Sequence, residues 1–282
     1  MVPAPLGQNF LAGEGWRERI VSLLGARAGD IWLEIGAGHG EMTELLAGQA
    51  ARVIALELDA QLAAGLRKRA AKWPNVEVVE ADVLSSDLAS IAGAAKFRIY
   101  GSIPYYITSP ILHRIYNSAG HIETAHLIMQ LEVAERLVAK PGCREYGYLS
   151  VATQFYARPE ILLKIPPGAF RPQPKVDSAL VALRFPGPGA GLNFDDTAAF
   201  LEFVQQCFAH KRKTLVNNLR GKLLSARPAR CSERGKSIRN PILDILRDAG
   251  ISERARAEEL SLDQFAALHR ILNSGGHTTQ TK

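Results

Sequence analysis

The short apolar run Ile31-Trp32-Leu33-Glu34-Ile35 passes directly into Gly36-Ala37-Gly38-His39-Gly40 and then into a helix-like stretch, Glu41 to Leu46. A strand, a glycine turn and a helix in that order predict an open α/β sheet with a ligand at the turn. Glycines there let the backbone approach the ligand closely, and the amino end of the helix favours negative charge. The spacing departs from the dinucleotide fingerprint, because the third glycine would fall at position 41, where Glu41 stands. An acid at a helix start repels a pyrophosphate, so the turn points to a nucleoside without phosphates and argues against a nicotinamide-dependent oxidoreductase.

Two further apolar runs extend the pattern. Val53 to Asp59 brings Glu57 to the carboxyl end of a second strand, about 20 residues past the glycines, where a carboxylate accepts both ribose hydroxyls. Asp59, two residues on, suits capping of the next helix better than ligand binding. Val76 to Glu80 leads to Asp82, whose carboxylate is placed to accept an adenine amine. A fourth strand end, Gly101-Ser102-Ile103-Pro104-Tyr105-Tyr106, combines a small polar side chain, a proline turn and an aromatic ring. The Ser102 oxygen and the carbonyl of Ile103 or Pro104 would accept the hydrogens of an exocyclic amine while Tyr105 stacks on the base, as enzymes acting on extruded bases require. A proline turn with inward-packed tyrosines would explain the hexapeptide alone, but four strand ends facing one crevice agree on a ligand site.

With these motifs the chain resembles the small-subunit ribosomal RNA adenine dimethyltransferases of the kasugamycin-sensitivity type. The likeness includes Gly7-Gln8-Asn9-Phe10-Leu11, Leu33 to Gly38, Glu57-Leu58-Asp59, Asp82, and Glu132 to Leu137 followed by Pro141-Gly142. Phe170 to Ser178 and Arg256-Ala257-Glu258-Glu259-Leu260 extend it over nearly the whole chain. The resemblance implies a Rossmann-like class I methyltransferase sheet using S-adenosylmethionine, followed by a smaller all-helical carboxyl-terminal domain. It assigns Asn9 and Leu11 to the methionine part of the cofactor, Gly36 and Gly38 beneath it, Glu57 to ribose and Asp82 to adenine. Tyr105 and Phe170 become the stacking faces for the target base.

The implied reaction is direct displacement of methyl from sulfonium onto the adenine amine, in which the protein mostly aligns three atoms. Acceptors at Ser102 and Pro104 would help rehybridise the nitrogen and stabilise the charge that develops there. Stacking is worth roughly 1–3 kcal/mol per base, comparable to the cost of extruding a weakly paired one, so loop adenines are favoured. Ser102 is the one departure: the family usually has asparagine there, with a longer reach and a second polar atom. Aminomethyltransferases acting on other nucleic acids use serine before a proline, so the expected effect is on rate and not on the existence of activity.

Charge locates a partner. The net charge is +6, and from Gly187 onward there are 15 Lys and Arg against 10 Asp and Glu. Lys211, Arg212, Lys213, Arg220 and Lys222 fall on or beside an expected helix, Asp195 to Leu219, whose Phe200, Leu201, Val204 and Phe208 form its apolar stripe. Cations at a helix carboxyl end can simply be solvated, but their density favours binding to RNA phosphates. Pro186-Gly187-Pro188-Gly189-Ala190-Gly191 reads as a linker, dividing the chain into residues 1–186, the methyltransferase domain, and 187–282, the helical basic domain. Ile161 to Ile165 and Ser178 to Phe185 are expected as an antiparallel hairpin at the sheet edge, and Gly275 to Lys282 as a loose tail.

A hydrophobic content of 47% suffices for a core, and no apolar run approaches the roughly 18 residues of a membrane span. The start, Met1-Val2-Pro3-Ala4-Pro5, lacks signal-peptide features, so a cytoplasmic protein is expected. Cys143, Cys207 and Cys231 and the seven histidines lack metal-ligand spacing, and no metal is expected. No helix shows an excess apolar face, which predicts a monomer. The leading expectation is dimethylation of two adjacent adenosines in a terminal hairpin loop of the RNA of an assembling small subunit. Its rivals are a large-subunit adenine methyltransferase of the macrolide-resistance type and a ribosome-assembly factor with weak catalysis.

Overall fold

The computed structural model describes residues 9–93, 96–219 and 241–274. The chain divides into two compact units, Met1–Val138 with Tyr156–Pro188, and Ala139–Phe155 with Gly189–Lys282. In chain order the strands are β1 (Phe10–Leu11), β2 (Ile31–Ile35), β3 (Arg52–Glu57), β4 (Val76–Glu80), β5 (Phe97–Ser102), β6 (Ile122–Gln130), β7 (Arg158–Ile165), β8 (Phe170–Arg171) and β9 (Ser178–Arg184). The helices of the first unit are α1 (Glu14–Leu24), α2 (Glu41–Ala47), α3 (Ala60–Ala70), α4 (Leu88–Ala92), α5 (Thr108–Asn117) and α6 (Leu131–Val138).

Among the described residues, seven strands form one sheet in the order β4-β3-β2-β5-β6-β9-β7. β4 to β6 are parallel, and β9 enters antiparallel between β6 and β7. The expected edge hairpin is therefore present, with β7 outermost. Burial explains the sequence patterns: central β3 is buried from Val53 through Glu57, whereas Glu77 and Glu80 of edge strand β4 are exposed. Arg52 reaches the edge to meet Glu77 at 2.5 Å. One core packs Trp32, Leu46, Val53, Tyr100, Ile165, Phe170 and Leu180 together.

The chain leaves β2 toward β3 on one side and returns as β5 on the other, so the strand order reverses between β2 and β5. In such sheets the carboxyl ends at this reversal open a crevice. A second device closes it. β1 pairs antiparallel with β8, Phe10 opposite Arg171 and Leu11 opposite Phe170, which ties the amino-terminal motif to the Phe170 stretch. The Ala12 amide extends the pairing by donating to the Ala169 carbonyl at 2.7 Å.

The second unit is helical in its described residues: α7 (Tyr148–Tyr156, up to Phe155), α8 (Thr197–Cys207), α9 (residues 215–219), α10 (Pro241–Asp248) and α11 (Leu262–Ser274). It begins at Gly189, two residues after the expected boundary, and takes in Ala139–Phe155 as well, for reasons of packing. The Tyr146 hydroxyl donates to the Leu260 carbonyl at 3.0 Å, and the Phe155 ring lies 5.4 Å from that of Phe200.

The single helix expected from Asp195 to Leu219 is in fact two. α8 ends at Cys207, turns occupy residues 208–213, and helix resumes at 215. Asn218 supports the break: its side-chain amide donates to the carbonyls of Cys207 at 2.7 Å and His210 at 3.2 Å, where an unbroken helix would use backbone amides. Phe200, Leu201 and Val204 are buried as expected, joined by Phe203 and Cys207, while Phe208 is only half-buried.

Candidate active site

The turn after β2 is built from glycines in the left-handed region, Gly36 at φ +71°, Gly38 at +57° and Gly40 at +85°. At Gly38 a β-carbon would also lie 2.9 Å from Cε1 of Phe10, so the residue is required by conformation and by space. The Gly38 amide donates to Oε2 of Glu57 at 2.8 Å, and Oε1 of Glu57 accepts from the Asp59 amide at 2.9 Å. Both oxygens are thereby held at the end of β3, with the side chain 3% exposed. Asp59 caps α3, accepting from the amides of Gln61 at 2.8 Å and Leu62 at 3.1 Å. The capping expected of Asp59 is thus present.

One cleft gathers most of the expected residues. Asn9, Leu11, Gly36, Gly38, Glu57, Ser102, Pro104, Tyr105 and Phe170 all line it. Asp82 lies outside this lining in an adjoining recess with Leu58, Val83 and Tyr106, and Gly36, Glu57 and Pro104 border both. Asp82 accepts from the Leu84 amide at 2.9 Å through Oδ1. Phe170 is 1% exposed and belongs to the core, so it meets the cleft as part of a fixed wall.

The Ser102 end of β5 continues into a tight helical turn. Within it the Pro104 carbonyl accepts from the Ile107 amide at 3.2 Å and from Oγ1 of Thr108 at 3.4 Å. A carbonyl has two lone pairs, so the turn uses Pro104 and leaves Ile103 as the better acceptor of the two considered from sequence. The Tyr105 hydroxyl is 2.6 Å from Oγ of Ser178, a fully buried residue at the start of β9. That bond fixes the ring orientation.

Sequence reasoning missed Arg17, Glu34 and Tyr100 of the lining, while Glu41, read from sequence as an acid at the ligand turn, does border the cleft. Glu34 was visible as an acid inside an apolar strand. It is 2% exposed and accepts from Oγ1 of Thr43 at 2.6 Å. Burial, with Glu41 and Glu57 nearby, pushes its carboxyl up to about 8, so it is predominantly protonated at neutral pH. Burial also raises the Tyr100 phenol, with a smaller contribution from Glu34. Lys211, Arg212 and Lys213 are exposed in the turn after α8, with Lys211 donating to the Arg144 carbonyl. Arg220 and Lys222 lie outside the described residues.

The lining fits a nucleoside carrying cationic groups. The glycine cradle admits a close ligand, Glu57 offers fixed acceptors, and Glu41 at the start of α2 disfavours a phosphate. The family profile described as "Ribosomal RNA adenine dimethylase" matches residues 4–270. The chain belongs to the ribosomal RNA adenine dimethylase family. Among relatives, the ribosomal RNA small subunit methyltransferase A of Acidobacterium capsulatum is 44% identical over 95% of this chain and 90% of that protein. The protein of the same name from Koribacter versatilis is 38% identical over 96% and 95%. The crystal structure of a dimethyladenosine transferase from Plasmodium falciparum superposes with a TM-score of 0.78 at 25% identity, covering 95% of this chain and 98% of that one. That of the 23S rRNA methyltransferase ErmE gives 0.67 at 29% identity, covering 94% and 100%.

Proposed function

We propose that this family member dimethylates two adjacent adenosines in a hairpin loop of small-subunit ribosomal RNA, using S-adenosylmethionine. The observation that carries the choice of subunit is the 44% and 38% identity, over nearly the whole chain, to proteins named ribosomal RNA small subunit methyltransferase A. Bound cofactor would supply a sulfonium-activated methyl group. Glu57 would hold ribose hydroxyls and Asp82 the cofactor's adenine amine, with Asn9 and Leu11 at the methionine end.

The remaining work falls to residues around the target base. Tyr105, braced by Ser178, would stack on the adenine, with the buried ring of Phe170 forming part of the fixed wall of the cleft. Oγ of Ser102 and the Ile103 carbonyl accept the amine hydrogens, which turns the nitrogen lone pair toward the methyl group and stabilises charge developing on nitrogen. The nitrogen forms its new bond to carbon as the carbon–sulfur bond breaks, and its surplus proton leaves to water. Basic residues after α8 would hold phosphates of the RNA. The same reading has the chain act as a monomer on cytoplasmic subunits. In the described residues no helix is long and apolar enough to cross a membrane.

The test is transfer of labelled methyl to unmethylated small-subunit particles and, in parallel, to large-subunit RNA. Label confined to the small-subunit RNA is expected; label confined to the large-subunit RNA would overturn the choice. Ser102 motivates a second reading, an assembly factor with weak catalysis. Under that reading Ser102→Asn would raise turnover by an order of magnitude or more, whereas a competent serine gains little.

A further inference from the structure

Arg17 is a charged residue in a place built for an apolar one. α1 turns Ile20, Val21 and Leu24 inward, and Arg17 lies three and four residues before the first two, on the same face. Its side chain is half-buried and borders the cleft. The nearby cation Arg19 faces elsewhere, its guanidinium 5.8 Å from the Trp16 ring centroid. Among the described residues no hydrogen bond or ion pair engages Arg17.

The remaining ionisable groups of the lining give this cation its meaning. Glu34, Glu41 and Glu57 are the carboxyl groups there, Tyr100 and Tyr105 the phenols, and Arg17 the one cation. Glu57 is held by two backbone amides and Glu34 by Thr43. A half-buried arginine at the cleft with no ion pair among the described residues leaves its guanidinium available to an anionic group of the ligand. On the proposed reading, the ligand carries one negative and two positive groups on its amino-acid end: carboxylate, ammonium and sulfonium. One cation among several carboxyl groups is the complementary arrangement.

Resting on that cofactor reading, we infer that Arg17 binds the α-carboxylate of the cofactor's methionine part. The guanidinium fork matches a carboxylate in two parallel hydrogen bonds, a geometry lysine does not reproduce. A phosphate of the RNA is the competing anion. The cleft disfavours it, because Glu41 at the start of α2 and the other acids of the lining repel a dianionic or bridging phosphate more than a zwitterion.

The inference is tested by calorimetric binding of three nucleosides to the full chain: S-adenosylhomocysteine, its decarboxylated counterpart, and methylthioadenosine, which lacks the amino-acid tail. Arg17→Ala should weaken S-adenosylhomocysteine by about ten-fold or more and leave the other two unchanged. Removing the carboxylate from the ligand should weaken binding to the unsubstituted chain by a similar factor, and the two losses should not add. Arg17→Lys should recover part of the loss. Equal weakening of all three ligands, or none, would overturn the inference while leaving the cofactor reading intact. Loss of affinity for a small-subunit RNA hairpin with unchanged S-adenosylhomocysteine binding would overturn it in favour of phosphate. An unsubstituted chain that binds none of the nucleosides would remove the cofactor reading itself.

Discussion

The Tyr105 hydroxyl and Ser178 form a 2.6 Å bond between residues 73 positions apart, so a ring assigned to the substrate is oriented from another strand. Tyr105→Phe keeps the ring and loses the bond; Ser178→Ala does the same from the other side. Each should lower kcat roughly three- to ten-fold with S-adenosylhomocysteine affinity unchanged, and the double variant should lose no more than either single one. Additive losses would show that the two groups act separately. Glu34 makes a pH prediction. Its carboxyl titrates near 4.5 when unfolded and about 8 when folded, so the folded chain binds the extra proton between those values. The stability it contributes is full below pH 4.5 and is lost as pH rises through about 8. Glu34→Gln should flatten that part of the stability profile, measured by denaturant unfolding across the range. Legibility at this scale followed motif spacing: Glu57 and Asp59 were readable because strand ends and caps are local features. Arg17 and Ser178 were not, since their roles depend on what a distant segment brings beside them.

Strand ends and turns carry the site, and their requirements are steric. Gly38→Ala would force a side chain into φ +57° and against Phe10, 2.9 Å away. A loss of about 1–2 kcal/mol in stability is expected from the left-handed conformation alone, together with weakened nucleoside binding. An alanine variant with unchanged thermal unfolding and affinity would contradict the turn's proposed tightness. The parallel strands were legible as apolar runs because both faces of the central sheet are covered. The pairing of β1 with β8 was not legible, because two-residue strands carry no periodicity. The long helix expected after Asp195 failed for a similar reason: its apolar stripe continues past Cys207, but the carbonyl freed there is taken up by the side chain of Asn218, eleven residues on. Asn218→Ala should lower stability by about 1 kcal/mol by leaving the carbonyls at the end of α8 without that partner, measured by thermal unfolding.

At the scale of the whole molecule, the sheet reversal between β2 and β5 collects residues from four strand ends and the amino-terminal segment into one cleft and its recess. The architecture was readable from sequence, as was the convergence of the strand-end residues on one cleft and its recess; the segment Ala139–Phe155 was not assignable to the helical unit, because the partner of Tyr146 lies 114 residues away. Charge belongs to this scale as well. Replacing Lys211, Arg212 and Lys213 with alanine should weaken RNA binding without changing nucleoside affinity, and reduce the slope of log affinity against log salt by about one for each phosphate no longer neutralised. The central claim is tested most directly by mass spectrometry of nucleosides and RNA fragments from unmethylated small subunits incubated with the full chain and S-adenosylmethionine. Dimethyladenosine at two neighbouring positions of one hairpin loop is the predicted result. Small-subunit RNA without methylated adenine, from a chain that binds S-adenosylhomocysteine, would contradict it.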